Sequence, residues 1–187
     1  MNSMHSRSLS LLIGLLFCLP VGSKAQNGIE YSDVVELNNA SGDVLYSNAL
    51  VWFAEFFNDS RAVIETKDRE AGIILGDGRF NYTAPSGTKY KDVSGTIEFR
   101  IKVMFKEGRS KIELTNFRHK PSFPSYSLGL ITDSENYSGP KKSNMLSDKW
   151  HQVLWTDLRN DTSIGAEEIL KHFKEYMFES LTKTEDW

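Results

Sequence analysis

The chain has 187 residues, with 22 lysines and arginines against 25 aspartates and glutamates, a formal net charge of −3. That acidic balance argues against nucleic acid as a partner, because such binding depends on neutralising phosphates with basic side chains. The single cysteine, Cys18, lies in the leader described next, so disulfide, iron–sulfur and thiolate-zinc chemistry are excluded from the domain that follows.

Residues 1–25 have the order of a secretory signal peptide. His5 and Arg7 open it, an apolar run extends from Leu9 to Leu19, and Ser23-Lys24-Ala25 ends it with small residues at −3 and −1. The run is shorter than the roughly 20 apolar residues a spanning helix needs. Cleavage is expected after Ala25. Phe17 stands before Cys18 where a lipoprotein peptidase needs a small residue, so the product is expected to be soluble, periplasmic or secreted, with no membrane span. Loss of Arg7 and Lys24 leaves 20 basic and 25 acidic residues, net −5. Residues 26–187 suffice for a single domain with a packed core.

Along that domain the sequence IEYSDVVEL, residues 29–37, predicts a strand. Leu45, Ala49, Trp52, Phe53 and Phe56 then recur at three and four, the spacing of one helical face, with Asp43 as the expected N-cap. RAVIETK, residues 61–67, predicts a short strand. In GIILGDGRF, residues 72–80, Gly76 and Gly78 follow an aliphatic run. A phosphate-binding glycine loop must lead at once into a helix. Here Phe80-Asn81-Tyr82-Thr83 follows, with no lysine in place for a P-loop. The glycines are therefore expected within a strand, at a bulge or under an element that lies close on it.

GTIEFRIKVMFK gives the clearest pattern. Ile97, Phe99, Ile101, Val103 and Phe105 alternate with Thr96, Glu98, Arg100, Lys102 and Met104, the signature of an antiparallel strand covered on one side. Glu107-Gly108 predicts a two-residue hairpin turn of type I′. That turn sets Lys106 opposite Arg109, Lys102 opposite Glu113, Val103 opposite Ile112 and Ile101 opposite Leu114. By the same parity Phe117 falls on the open face. Residues 120–150, rich in proline and serine, predict a long loop. A last helix is expected from Ser163 to about Thr182, with Asn160-Asp161-Thr162 as its lead-in and Ile169, Phe173, Tyr176, Met177 and Leu181 on its apolar face.

The stretches YSDVVEL, LYSNALVWFAEFF and KDREAGIILGDGRF, together with the IEFRIKVMFKEGRSKIEL hairpin, resemble a family of secreted bacterial proteins of unknown function with a TATA-binding-protein-like fold. The resemblance runs from Tyr31 to His119. It implies an α+β fold in the order β-α-β-β-β-β-α, an antiparallel sheet with two helices on one face. It brings no catalytic site with it.

No metalloprotease, serine-hydrolase or nucleotide-binding motif is present. His119, His151 and His172 are scattered, and structural or surface roles are expected for them. "DSEN" (133–136) and "RNDT" (159–162) lack calcium-loop spacing. No catalytic residue, metal site or cofactor is expected. Formal glycosylation sequons begin at Asn58, Asn81 and Asn160. The function expected is a non-enzymatic envelope or extracellular binding module for a glycan, peptide or protein. Its candidate ligand residues are Phe117, Phe123, Tyr126 and Tyr137, whose rings could stack on a ligand beside the open face. The alternative is a carboxylate-dependent hydrolase using Asp77, Glu98 or Asp133.

Overall fold

A computed structural model describes residues 27–57, 63–85, 91–142 and 146–182. The leader, its cleavage point and the Asn58 sequon lie outside the described residues. Among those described, the order is β1 (Tyr31–Glu36), α1 (Gly42–Phe56), β2 (Ile64–Asp68), β3 (Ile73–Tyr82), β4 (Gly95–Lys106), β5 (Arg109–Pro121), β6 (Gly129–Leu130) and α2 (Asp148–Thr182). The sheet is antiparallel, ordered β1-β5-β4-β3-β2, with β6 added to the far half of β5. Both helices pack on one face of it, and the core between is apolar, from Trp52 and Phe53 of α1 to Phe173 and Met177 of α2. This is the α+β architecture the sequence predicts, extended by the two-residue β6.

α1 is capped two residues earlier than expected. Ser41, in extended conformation, is the N-cap, and its Oγ accepts from the Val44 amide at 3.3 Å. Asp43 sits instead in the first turn and binds the Arg69 guanidinium at 2.7 Å. Either placement puts an oxygen near the free amides of the helix start.

The central hairpin has the expected register. Lys106 faces Arg109, Lys102 faces Glu113, Val103 faces Ile112 and Ile101 faces Leu114. The turn that holds it differs. Gly108 has φ +73°, but Glu107 is not among the positive-φ residues, whereas a type I′ turn needs both. Glu107 is engaged elsewhere: its carboxylate accepts from the Gly42 amide at 3.0 Å, and the Gly108 amide donates to Ala40. The turn is thus built against the loop that leads into α1, and cross-strand packing sets the register.

The expected parity fails after Leu114. The register shifts between Glu98 and Arg100, and Asn116 adopts φ +58°. Asn116 is the extra residue of a β-bulge, which turns the rest of β5 over. Phe117 therefore faces the core and is fully buried, edge-on to Tyr31 at 5.6 Å and stacked on Phe99 at 5.4 Å. It is not on the open face.

α2 starts at Asp148, not Ser163, and runs for 35 residues. Ser147 caps it, its Oγ accepting from the Trp150 amide at 3.1 Å. "RNDT" lies within the helix. Thr162, one of the residues that suggested a break, is buried and returns its hydroxyl to the Leu158 carbonyl at 2.7 Å.

Candidate ligand groove at the sheet edge

β3 has ten residues, but β2 pairs only with its first part, Ile73 to Gly76. Residues 77–82 form an edge with no neighbouring strand among the described residues. Gly76 and Gly78 explain how that edge is shaped. A Cβ at Gly76 would strike the Val63 carbonyl, and one at Gly78 would strike the Phe99 ring. Both glycines are strand residues under closely approaching groups, as the sequence predicts.

Beside the edge lies a groove of about 1210 Å³. Gly78, Phe80 and Phe99 give it an apolar floor, and Asp161, Ile164 and Glu168 of α2 form the opposite wall. Phe56 and Phe57, at the end of α1, also line it. α2 comes close here because Gly165 has no side chain: a Cβ there would lie 2.7 Å from the Phe80 ring. Ile164, one residue before it, is 56 % exposed.

The charges around the groove are of two kinds. Arg100 is spent, donating to Glu65 at 2.6 Å and to Asp77 at 3.1 Å. Glu98 pairs with Lys120 at 3.6 Å. Glu98 stands in one cross-strand row between Arg79 and Arg118. Those two exposed guanidiniums have no ion pair among the described residues. On the helix side, Asp161 is held above the usual carboxylate range, first by burial and then by Asp157. Asp157 in turn accepts the Tyr82 hydroxyl at 2.7 Å. Burial, followed by that hydrogen bond, raises the Tyr82 phenol.

The residues singled out from sequence are dispersed. Phe117 is in the core. Phe123 is 60 % exposed and lies 6.5 Å from the Tyr126 ring, which in turn lies 6.3 Å from Trp150. Tyr137 stacks on His151 at 5.4 Å, with its hydroxyl donating to the Pro140 carbonyl. Phe123, Tyr126 and Tyr137 thus gather around the first turns of α2, and none of them lines the groove. Of the three carboxylates, Asp77 and Glu98 are ion-paired at the groove, and Asp133 does not line it.

The histidines are structural. His119 is 1 % exposed; its Nδ1 accepts from the Leu128 amide at 3.1 Å, so Nε2 carries the proton and donates to Val93. His151 accepts from the Lys142 amide through Nε2 and donates through Nδ1 to Ser147. His172 accepts from the Trp52 indole at 2.9 Å. Among the described residues no group of three histidine, cysteine, aspartate or glutamate side chains is placed to hold a metal ion, and no helix is long and apolar enough to cross a membrane.

The sequence places Ile164, Gly165 and Glu168 on the last helix and Asp161 in its lead-in, but nothing local in it says that this stretch lies against β3. The signal that pointed to the groove is the mismatch in length between β2 and β3.

Residues 31–120 match the model of a domain of unknown function, DUF4468, with TBP-like fold. Over those residues the chain is similar to the DUF4468 family. The match covers β1 through nearly all of β5 and leaves α2 outside it. A DUF4468 family protein from Bacteroides ovatus has a similar crystal structure, with a TM-score of 0.58 at 17% identity over 84% of this chain and 91% of that one. A TBP-like protein from Parabacteroides distasonis is also similar, with a TM-score of 0.52 at 11% identity over 79% of this chain and 93% of that one. At such identities the likeness concerns the fold. No curated protein matches the chain.

Proposed function

We propose that this protein is a non-enzymatic binding module that acts in the cell envelope or outside the cell, and that the groove between the edge of β3 and α2 takes its ligand. The groove carries the reading: it is a large concave surface that sets an apolar floor among charged and amide side chains, and concave surfaces are where ligands bind. The leader-like sequence of residues 1–25 supports export. Hydrolysis fits the site less well, because Asp77 and Glu98 are held by Arg100 and Lys120 rather than facing each other across a substrate. Nucleic acid is not a favoured ligand. Glu98 interrupts the arginine row, and Asp161 and Glu168 stand opposite. Phe123, with Tyr126 and Tyr137 behind it, remains a second surface on which a glycan could stack.

The test is a screen of the mature protein against envelope glycans, peptides and lipids, repeated with Ile164→Glu. Ile164 is exposed, so that variant should fold. Saturable binding that it abolishes is the expected result. Turnover of a ligand, or binding that Ile164→Glu leaves intact while Phe123→Ala removes it, would overturn the assignment. Mass spectrometry of the exported chain checks for Gln26 as the first residue.

A further inference from the structure

We propose that the partner of the groove is an extended peptide, added antiparallel to β3 as a further strand along residues 77–82, with apolar side chains toward α2 alternating with acidic ones toward Arg79. This rests on the groove being the binding surface and names the class of its ligand.

The hydrogen-bonding phase of the sheet carries the first step. Lys106 and Arg109 close a two-residue turn, so both backbone groups of Lys106 point to β5. Those of Phe105 then point to β3, and the Phe105 amide does donate to Gly72 at 2.9 Å. The β3–β4 register runs without a shift from Ile73↔Met104 to Tyr82↔Gly95. Even-numbered residues of β3 therefore bond to β4, and Asp77, Arg79 and Asn81 turn their N–H and C=O groups outward. Beyond Gly76 no strand of the described residues receives them.

The other two edges of the sheet are guarded, which sets this one apart. On β1 the outward amide of Val34 is taken by the carboxylate of Asp33 at 2.8 Å. β2 carries a register irregularity between Ile64 and Thr66 and the charged residues Glu65, Lys67 and Asp68. Bulges, charges and capped amides are how exposed edges avoid pairing. Residues 77–82 also carry charges, Asp77 and Arg79, but they contain no proline and no register shift, none of their outward amides is capped by a side chain among the described residues, and they face a groove. An edge backed by pockets for alternate side chains is the geometry of strand addition.

Charge and shape choose the side chains. Residues directly opposite each other in a sheet share a face. A side chain opposite Gly78 or Phe80 enters the floor between Phe99 and Ile164. One opposite Arg79 meets a guanidinium that has no ion pair among the described residues, with Arg118 a further two strands, about 10 Å, beyond Arg79. An acidic residue suits that position.

The experiment uses the mature protein and a labelled nine-residue peptide alternating valine and glutamate, followed by fluorescence anisotropy. Its lysine counterpart should bind about tenfold more weakly or worse, and Arg79→Glu should reverse that order. In antiparallel pairing the glutamates opposite Arg79 exchange both backbone bonds with it. N-methylation of the glutamate amides should therefore abolish binding, and N-methylation of the valine amides should leave it. Absence of binding at millimolar peptide would overturn the proposal, as would equal binding of the two methylated forms. So would a stable dimer of the free protein whose association masks this edge. A glycan or lipid that binds in the groove and is lost with Ile164→Glu would sink the peptide while leaving the groove as the binding surface.

Discussion

The two long edges of the sheet are built from similar strands and treated in opposite ways. β1 offers Ser32, Val34 and Glu36 outward, but Asp33 folds its own carboxylate onto the Val34 amide and also meets Lys174 of α2 at 3.6 Å. At β3 the side chain next to the outward Arg79 amide is Gly78, which has nothing to fold back. Its place is taken from within by Phe99, which joins Phe80 at 5.8 Å and Phe117 at 5.4 Å in a row of rings beneath the edge. One edge is stopped by a local polar contact. The other is propped by the core, and no described strand covers it. The lesson is that an edge left unguarded in a sheet that guards its others is itself a functional signal.

The prop gives the largest expected effect. Phe117→Ala should cost about 3–5 kcal/mol, because it removes a fully buried ring. Denaturant unfolding measures it. A loss within about 0.5 kcal/mol, as for an exposed residue, would return Phe117 to the open face and remove the floor from under β3. Gly78→Val comes next. A side chain there drives into the Phe99 ring, and overpacking of this kind costs about 1–3 kcal/mol. The same change should abolish ligand uptake at the groove. A stable Gly78→Val protein that still binds would separate the edge from the site.

How much of this was legible in the sequence follows from where the signals are local. The alternation from Ile97 to Phe105 fixes which face is buried, and opposite-charge and apolar pairs fix the register to Leu114. The turn type was misread because Glu107 and Gly108 are bonded to residues 40 and 42, far away in sequence, and no dipeptide rule sees that. Asn116 inverted the placement of Phe117, because one left-handed residue exchanges the two faces of everything after it. Asn160, Thr162, Ser163 and Gly165 weakened the helical pattern between Trp155 and Ile169. What restores it is packing: Thr162 bonds Leu158, and Gly165 admits Phe80. The groove needs the far end of β3, the middle of α2 and the end of α1 together. It was legible only as a strand longer than its neighbour.

The short β6 prolongs the guarded side of the sheet, and His119 ties it on through the Leu128 amide. Burial holds the His119 imidazole below its usual value of 6.5, with the Lys142 charge adding to this and the Val93 hydrogen bond opposing it. The unfolded chain then binds the proton more readily than the folded one. Stability from this group is whole above pH 6.5 and declines as the pH falls below it toward the folded value. Protonation at Nδ1 also breaks the bond from Leu128. Urea unfolding between pH 7.5 and pH 5 should show the decline, and His119→Gln should flatten it. A histidine-independent slope would place the acid sensitivity among the carboxylates instead.

The smallest effect tests the guarded edge directly. Asp33→Ala removes an exposed ion pair with Lys174, worth about 0–1 kcal/mol, so folding stability should hardly change. What changes is the chemistry of the edge. The Val34 amide loses its intramolecular acceptor and becomes free to pair with another chain. The valine and glutamate peptide should then show a second, weaker site, and it should persist when Arg79→Glu is added. Glu36 and Glu30 flank the β1 edge with the wrong sign for an acidic peptide. The lysine counterpart should therefore be the better ligand there, the reverse of the order at β3. If Asp33→Ala opens no second site, then a carboxylate on a neighbouring amide is not what closes β1, and the contrast drawn between the two edges loses its cause.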